Sequence, residues 1–185
     1  MAKYRNKCRP TEDANIAVSI HERSKNIDRR RSLGHWEGDL VSGTNNTHIA
    51  TLVDRKSRYT IIVKLAGKDA ESVYQALLAV FMKMPAEHRK FLTWDRGMEL
   101  AKHADLTKET GMPVYFCDPQ CPWQRGTNEN TNGLIRQYFP KKTDLSTHSQ
   151  KRLNEVANQL NERPRKTLKF KTPSHMIDKS VALMV

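Results

Sequence analysis

No apolar run in this chain approaches the roughly 18 residues that a membrane-spanning helix needs, and its first residues are polar and basic with no apolar segment behind them. Neither a transmembrane helix nor a secretory leader is expected, and the expected compartment is the cytoplasm. Cysteine is sparse and odd in number, with Cys8, Cys117 and Cys121. Such a set gives no disulfide framework, so reduced thiols are expected. Cys117 and Cys121 have the spacing of half a zinc site, but no second Cys or His pair follows at a supporting distance, which argues against structural zinc. Ser and Cys lack any recognisable nucleophile motif, which argues against that class of hydrolase. His35, beside Trp36, reads as a packed or hydrogen-bonded residue rather than a base.

What is present fits one ordinary domain with tails. The chain has 185 residues, of which 37% are hydrophobic. Its formal net charge of +12 is unevenly placed: the excess is +5 over residues 1–31, zero over 32–135 and +7 over 136–185. A neutral middle between basic flanks suits a folded core that handles a polyanion with its edges, because Lys and Arg displace counterions from phosphate. The expected division is a basic arm over 1–31, a folded domain over 32–165 and a basic tail with a short helix over 166–185.

Within the middle segment, 35–42, 47–54 and 59–65 are short runs rich in β-branched and aromatic residues, joined by polar connectors of hairpin length. Three consecutive antiparallel strands follow. Asp69 is placed to cap a helix through Val73, Leu77 and Phe81 that ends before Pro85. A fourth strand over 91–94, a helix over about 99–110 closed by Gly111, and a fifth strand over 113–117 give the order βββαβαβ. Strands separated by helices are parallel neighbours, so the expected fold is α/β with a five-stranded mixed sheet flanked by helices. Further helices are expected over about 123–138, 149–161 and 173–182.

Acids stand at the ends of these strands. Asp39 lies in His-Trp-Glu-Gly-Asp-Leu-Val, where strand alternation sets it on the face of Glu37 and opposite Trp36 and Leu40. Asp95 ends the fourth strand, where mixed sheets open into a ligand crevice. Glu129 falls on the predicted helix after Pro122, on one face with Asn132, Gly133 and Arg136 and with none of the Lys/Glu pairs of an ordinary solvated surface. Three carboxylates from separate elements, with no obvious basic partner, suit hard divalent cations, which take oxygen ligands and complete their shells with substrate phosphate. Two such ions serve an in-line displacement at phosphorus. Glu37 and Asp54 compete for these roles as ligands or supporting groups, although Asp54 also reads as a turn residue pairing with Arg55 or Arg58. Asp118 before Pro119 reads as turn chemistry.

The segments Gly-His-Trp-Glu-Gly-Asp (34–39), Thr-Trp-Asp-Arg-Gly-Met-Glu (93–99), Tyr-Phe-Cys-Asp-Pro (115–119) and Pro-Trp-Gln-Arg-Gly-Thr-Asn-Glu-Asn-Thr-Asn-Gly-Leu (122–134) closely resemble bacterial insertion-sequence transposases of the IS-thirty family. The resemblance covers residues 30–175 and implies an RNase H-like fold with a retroviral-integrase-like core. It maps the family's acidic triad onto Asp39, Asp95 and Glu129, as catalytic and metal-holding residues for Mg²⁺ or Mn²⁺, with two ions expected. It also implies DNA strand cleavage and strand transfer, double-stranded DNA partners at transposon ends and target, and a homo-multimer on DNA. Arg136 fills the basic position two helical turns after the glutamate. Arg125, Lys141 and Lys142 join it as expected DNA contacts. Gly97, Trp123, Asn128 and Asn130 match family positions and are expected to shape the site. Met98 and Gln120-Cys121 depart from the family pattern without removing a ligand. Full-length relatives carry an N-terminal helix-turn-helix region, and this chain is expected to begin in the basic linker after it. The rival reading is a DNA-binding regulatory fragment that multimerises with intact transposase and inhibits it; an RNA-strand nuclease is disfavoured by the long match around Glu129.

Overall fold

The computed structural model describes residues 17–177. Three antiparallel strands come first: β1 (His35–Ser42), β2 (His48–Asp54) and β3 (Thr60–Lys64). α1 (Ala70–Lys83) leads to β4 (Phe91–Trp94), and α2 (His103–Thr110) leads to β5 (Val114–Phe116). β4 runs parallel to β1 and β5 parallel to β4, giving one sheet of order β3-β2-β1-β4-β5. This is the expected mixed α/β sheet, and its helices α3 (Gly126–Ile135) and α4 (Gln150–Asn161) lie on the face opposite α1.

Strand alternation divides the apolar residues between two cores. Trp36, Ala50, Leu52, Leu92 and Trp94 pack with Val73, Leu77 and Phe81 of α1. Val41, Ile49 and Ile62 pack on the other face with Ile135, Phe139 and the Leu153, Val156 and Leu160 stripe of α4. Burying both faces makes a three-layer domain. Gly38 belongs to this packing, because a Cβ there would stand 2.2 Å from the Trp94 ring.

Local chemistry sets the helix ends. Asp69 caps α1 by accepting from the Ser72 amide, Ser149 caps α4 through the Arg152 amide, and Gly111 closes α2 in a left-handed conformation at φ 70°. Two helices are shorter than the sequence suggests. The stretch from Trp123 begins as a 3-10 turn, Pro122–Arg125, because Arg125 leaves helical geometry at φ -117° and ψ 33° before α3 starts. The other breaks into a 3-10 turn, Met98–Leu100, followed by α2. The last helix, α5, spans Pro173–Met176, and the rest of its expected range lies outside the described residues.

The described parts of the flanks, 17–31 and 166–177, make contacts with the sheet domain. Val18 and Ser19 lie along the edge of β5, with the Phe116 amide donating to the Val18 carbonyl and Ser19 bridged to Phe116, and Ile20 is buried. His21 meets Asp118 at 2.7 Å, and Arg23 donates to Thr93. At the other end Ile177 enters the α1-side core. Cys117 is a buried free thiol, pushed up to about 12 by burial. Cys121 is disulfide-bonded, so the expectation of reduced thiols holds for Cys117 and fails for Cys121. No helix among the described residues is long and apolar enough to cross a membrane.

Candidate active site

The parallel pairing of β1 with β4 places His35 beside Phe91 and Glu37 beside Thr93. Continued for two residues, that register sets Asp39 alongside Asp95, which is the first residue past the end of β4. Arg125 joins them. Its Nη1 lies 3.0 Å from Asp39 Oδ1 and donates to the Gly38 carbonyl at 2.7 Å, while Nη2 lies 3.0 Å from Asp95 Oδ2. The two aspartates therefore do have a basic partner, contrary to expectation, and it comes from the turn before α3.

The charges are perturbed as this packing requires. Burial pushes the Asp95 carboxyl above its ordinary value, Arg125 opposes that, and the nearby Asp39 and Glu99 charges add to it. Burial works against the Arg125 charge, but Asp39 and Asp95 outweigh it and hold the guanidinium above its usual range. The second oxygen of each aspartate differs. Asp39 Oδ2 accepts from Asn132 Nδ2 at 3.0 Å. Asp95 Oδ1 is buried without a hydrogen-bond partner.

Glu37 has a different task. It is fully buried, its Oε2 accepts from the Thr127 and Asn128 amides at 2.8 and 2.9 Å, and its Oε1 lies 3.1 Å from Arg55 Nε. A carboxylate at exposed amides of a helix start is favoured by both hydrogen bonding and the helix dipole. Glu37 thus pins α3 to β1. Asn128, also fully buried, donates to the Glu37 and Thr51 carbonyls. Thr51 Oγ1 lies 2.9 Å from Asn132 Oδ1, tying β2 to the helix. Asp54 is likewise consumed internally, accepting from the amides of Gly34, His35, Lys56 and Ser57 and from the Ser57 hydroxyl. It is a turn residue as expected, though its side chain holds backbone rather than Arg55 or Arg58. Asp118 accepts from Gln124 Nε2 and from the His21 ring.

Glu129 is exposed on α3, three residues before Asn132 and so on the helix side that meets Asp39. Of the three acids singled out by sequence, the structure joins Asp39 to Asp95 and leaves Glu129 at the rim. Among the described residues, no three His, Cys, Asp or Glu side chains are gathered as a metal-holding group. The expected DNA contacts divide similarly. Arg136 donates to the Ser42 carbonyl through Nη2 and has Nη1 without a hydrogen-bond partner, on the Glu129 side of α3. Lys141 and Lys142 are exposed in the turn after it. Arg125, expected at DNA phosphate, is buried with both Nη groups spent inside the protein. Met98 and Trp123 stand 85% and 52% exposed, the first three residues past Asp95 and the second two before Arg125. The sequence reading missed Thr51 and the proximity of Glu99 to Asp95. Both depend on strand register and a loop path that spacing does not reveal.

Comparison with known proteins gives a family and a fold. The family model described as an integrase core domain matches residues 29–122. A transposase of insertion sequence element IS30A from Escherichia coli (strain K12) is 73% identical over 164 residues, covering 89% of this chain and 43% of that protein. A transposase of element IS1086 from Cupriavidus metallidurans is 47% identical over 166 residues, covering 89% and 49%. The chain thus spans less than half the length of these relatives. The catalytic core domain of BIV integrase superposes with a TM-score of 0.59 at 18% identity, covering 81% of this chain and 97% of that one, which shows a shared RNase H-like fold. With a family match across half its residues, the chain belongs to the integrase core domain family.

Proposed function

We propose that this chain is the catalytic domain of a DNA transposase, cleaving and joining DNA strands by metal-dependent in-line phosphoryl transfer. The observation that carries the reading is the Asp39–Asp95 pair, two carboxylates from neighbouring parallel strands set level with each other and bridged by the Arg125 guanidinium, with Asp95 Oδ1 left over. The donor set fits a hard divalent ion. Both side chains offer oxygen, and the unpartnered Asp95 Oδ1 is the kind of buried acceptor that an ion satisfies. Asp39 and Asp95 would hold Mg²⁺ or Mn²⁺, with Glu129 completing the set for a second ion. Bound there, such ions supply Lewis acidity and an activated oxygen nucleophile for attack at phosphorus.

The chain's own residues then position the reactants. Asn132 fixes the Asp39 carboxylate and keeps α3 beside the strand, and Glu129 stands one helical turn before Asn132 on that helix. Glu37 fixes where α3 starts, which sets the reach of Glu129. The spare Nη1 of Arg136 and the exposed Lys141 and Lys142 would hold the backbone of the duplex being cut. Substrate choice, the ends recognised and the DNA-bound multimer belong to the same proposal.

The test is Mn²⁺-dependent nicking and strand transfer on labelled duplex, comparing the chain with Asp95→Asn at low salt. Metal-dependent cutting that vanishes in the variant is expected. A chain that binds DNA but never cuts it, even when rejoined to an N-terminal recognition region, would replace this reading with the regulatory fragment.

A further inference from the structure

Two buried arginines stand one step along the strands from the acid pair, and a single carboxylate joins them. Arg23 comes from the N-terminal flank and Arg55 from the β2–β3 turn, with side chains only 7% and 6% exposed. Asp28 Oδ1 accepts from Arg23 Nη2 at 2.7 Å and from Arg55 Nη2 at 3.3 Å. Burial pushes the Arg23 guanidinium below its ordinary value, the Arg55 charge adds to that, and Asp28 opposes it. The carboxylate thus holds together two like charges that otherwise repel each other where little water screens them.

Each arginine leads to one strand of the acid pair. Arg23 Nη1 donates to Thr93 Oγ1 at 3.2 Å, two residues before Asp95. Arg55 Nε lies 3.1 Å from Glu37 Oε1, two residues before Asp39, and Glu37 and Thr93 are themselves level in the β1–β4 register. The other oxygen of Glu37 accepts from the Thr127 and Asn128 amides, so the contacts run unbroken from Asp28 to the first turn of α3. Glu129 is the next residue of that helix. Close-packed groups pass a displacement on to their neighbours, and every side chain in this series after Asp28 is buried.

The flank that carries Asp28 is itself seated on the site. Ser19 and Glu22 form a reciprocal capping box around the 3-10 turn Ile20–Glu22. That turn presents His21 to the buried Asp118, which also accepts from Gln124 in the turn that delivers Arg125. A second 3-10 turn, Lys25–Arg29, carries Asp28 and closes on Arg30 in a left-handed conformation at φ 51°. Asp28 is 61% exposed, and ion pairs open to water contribute little to stability. Its contacts matter for geometry instead, where a displacement of about 1 Å can cost about a hundredfold in rate. We propose that Asp28 is a positioning residue for the chemistry at Asp39 and Asp95: by clamping Arg23 and Arg55 it fixes Glu37 and, through it, where α3 carries Glu129. This inference rests on the reading of these acids as catalytic.

The experiment compares the chain with Asp28→Ala, the conservative Asp28→Glu, and Asp105→Ala, which removes one exposed carboxylate from α2 and controls for net charge. Hydrogen exchange of the Thr127 and Asn128 amides is followed without metal, and Mn²⁺-dependent nicking of labelled duplex is resolved into kcat and KM. Asp28→Ala is expected to exchange those two amides about tenfold faster. Its kcat should fall by about ten- to a hundredfold, with KM for duplex within about twofold and Tm within about 4 °C of the parent. Asp28→Glu should recover part of both losses, and Asp105→Ala should show neither. Unchanged exchange in Asp28→Ala, or faster exchange with kcat unchanged, overturns the proposal and leaves the catalytic reading intact. A fall in Tm beyond about 10 °C, with kcat and KM lost together, assigns Asp28 to the fold alone and overturns it too. A raised KM with kcat held places Asp28 in substrate binding and likewise overturns it. If the unaltered chain nicks no duplex with Mn²⁺, the catalytic reading fails, and positioning fails with it even where exchange responds.

Discussion

Replacing Arg125 with glutamine removes the one guanidinium that touches both aspartates, and the consequence can be worked from its contacts. Arg125 is 9% exposed and makes charge-assisted contacts of 3.0 Å to Asp39, 3.0 Å to Asp95 and 2.7 Å to the Gly38 carbonyl. Arg125 is buried, but the Asp39 and Asp95 side chains are 27% and 42% exposed, so water screens the charges left behind and a loss of about 1–3 kcal/mol is expected rather than the full cost of breaking a buried pair. For a domain of this size each kcal/mol shifts Tm by about 2–4 °C, so a fall of roughly 2–12 °C is expected at neutral pH in EDTA. The pH dependence has a definite sign. Asp95 already titrates above its ordinary value when folded, so the folded state holds a proton that the unfolded state has released, and stability falls as pH rises through that window. Without Arg125 the window extends upward, so the deficit of Arg125→Gln should grow toward neutral pH and shrink on acidification. Added Mn²⁺ should restore more stability to the variant than to the parent, since a cation bound at the pair supplies the missing charge and stabilises by mass action. Thermal melts across pH, with and without Mn²⁺, measure all of this. A variant as stable as the parent at neutral pH, or a deficit that ignores both acid and metal, would refute the reasoning.

Other perturbations have similarly definite outcomes. Glu37→Ala leaves two amides at the start of α3 and the Arg55 guanidinium without their carboxylate; a loss of about 3–5 kcal/mol in urea unfolding is expected, and a loss below about 1 would show that Glu37 does not anchor the helix. Gly38→Ala drives a Cβ into the Trp94 ring, so a destabilisation of about 1–3 kcal/mol with altered Trp fluorescence is expected. His35 stacks on Phe91, and burial holds its pKa at about 4, so stability should be full above about 6.5 and fall by roughly 2–3 kcal/mol between there and 4. His35→Gln should flatten that limb of the stability profile. Asn132→Ala frees the Asp39 carboxylate and should slow metal-dependent cutting by about tenfold, with little change in duplex affinity.

Much of the fold was legible from local pattern. The strands over 35–42 and 91–94, the Asp69 cap, the helix from about 149 and the Gly111 stop depend on neighbours a few residues away, and all stand where periodicity and capping chemistry put them. Strand alternation likewise set Glu37 and Asp39 together on one face, and loop spacing marked Asp95 at a strand end. What only the tertiary structure decided is who answers each charge. The β1–β4 register brings Asp39 level with Asp95, and the 3-10 turn before α3 delivers Arg125 between them, a contact across 86 residues from Asp39. Glu37 and Asp39 look alike in sequence, yet one is sealed against the start of α3 and the other is half-buried beside Arg125 and Asn132, because the first turn of α3 seats on Glu37 while only side chains reach Asp39. Positive charge shows the same division. Composition located positive charge in the two flanks, but only folding brought Arg30, the β2–β3 turn and Lys169 to Lys171 to one surface, since electrostatics acts through space and sequence records only order along the chain.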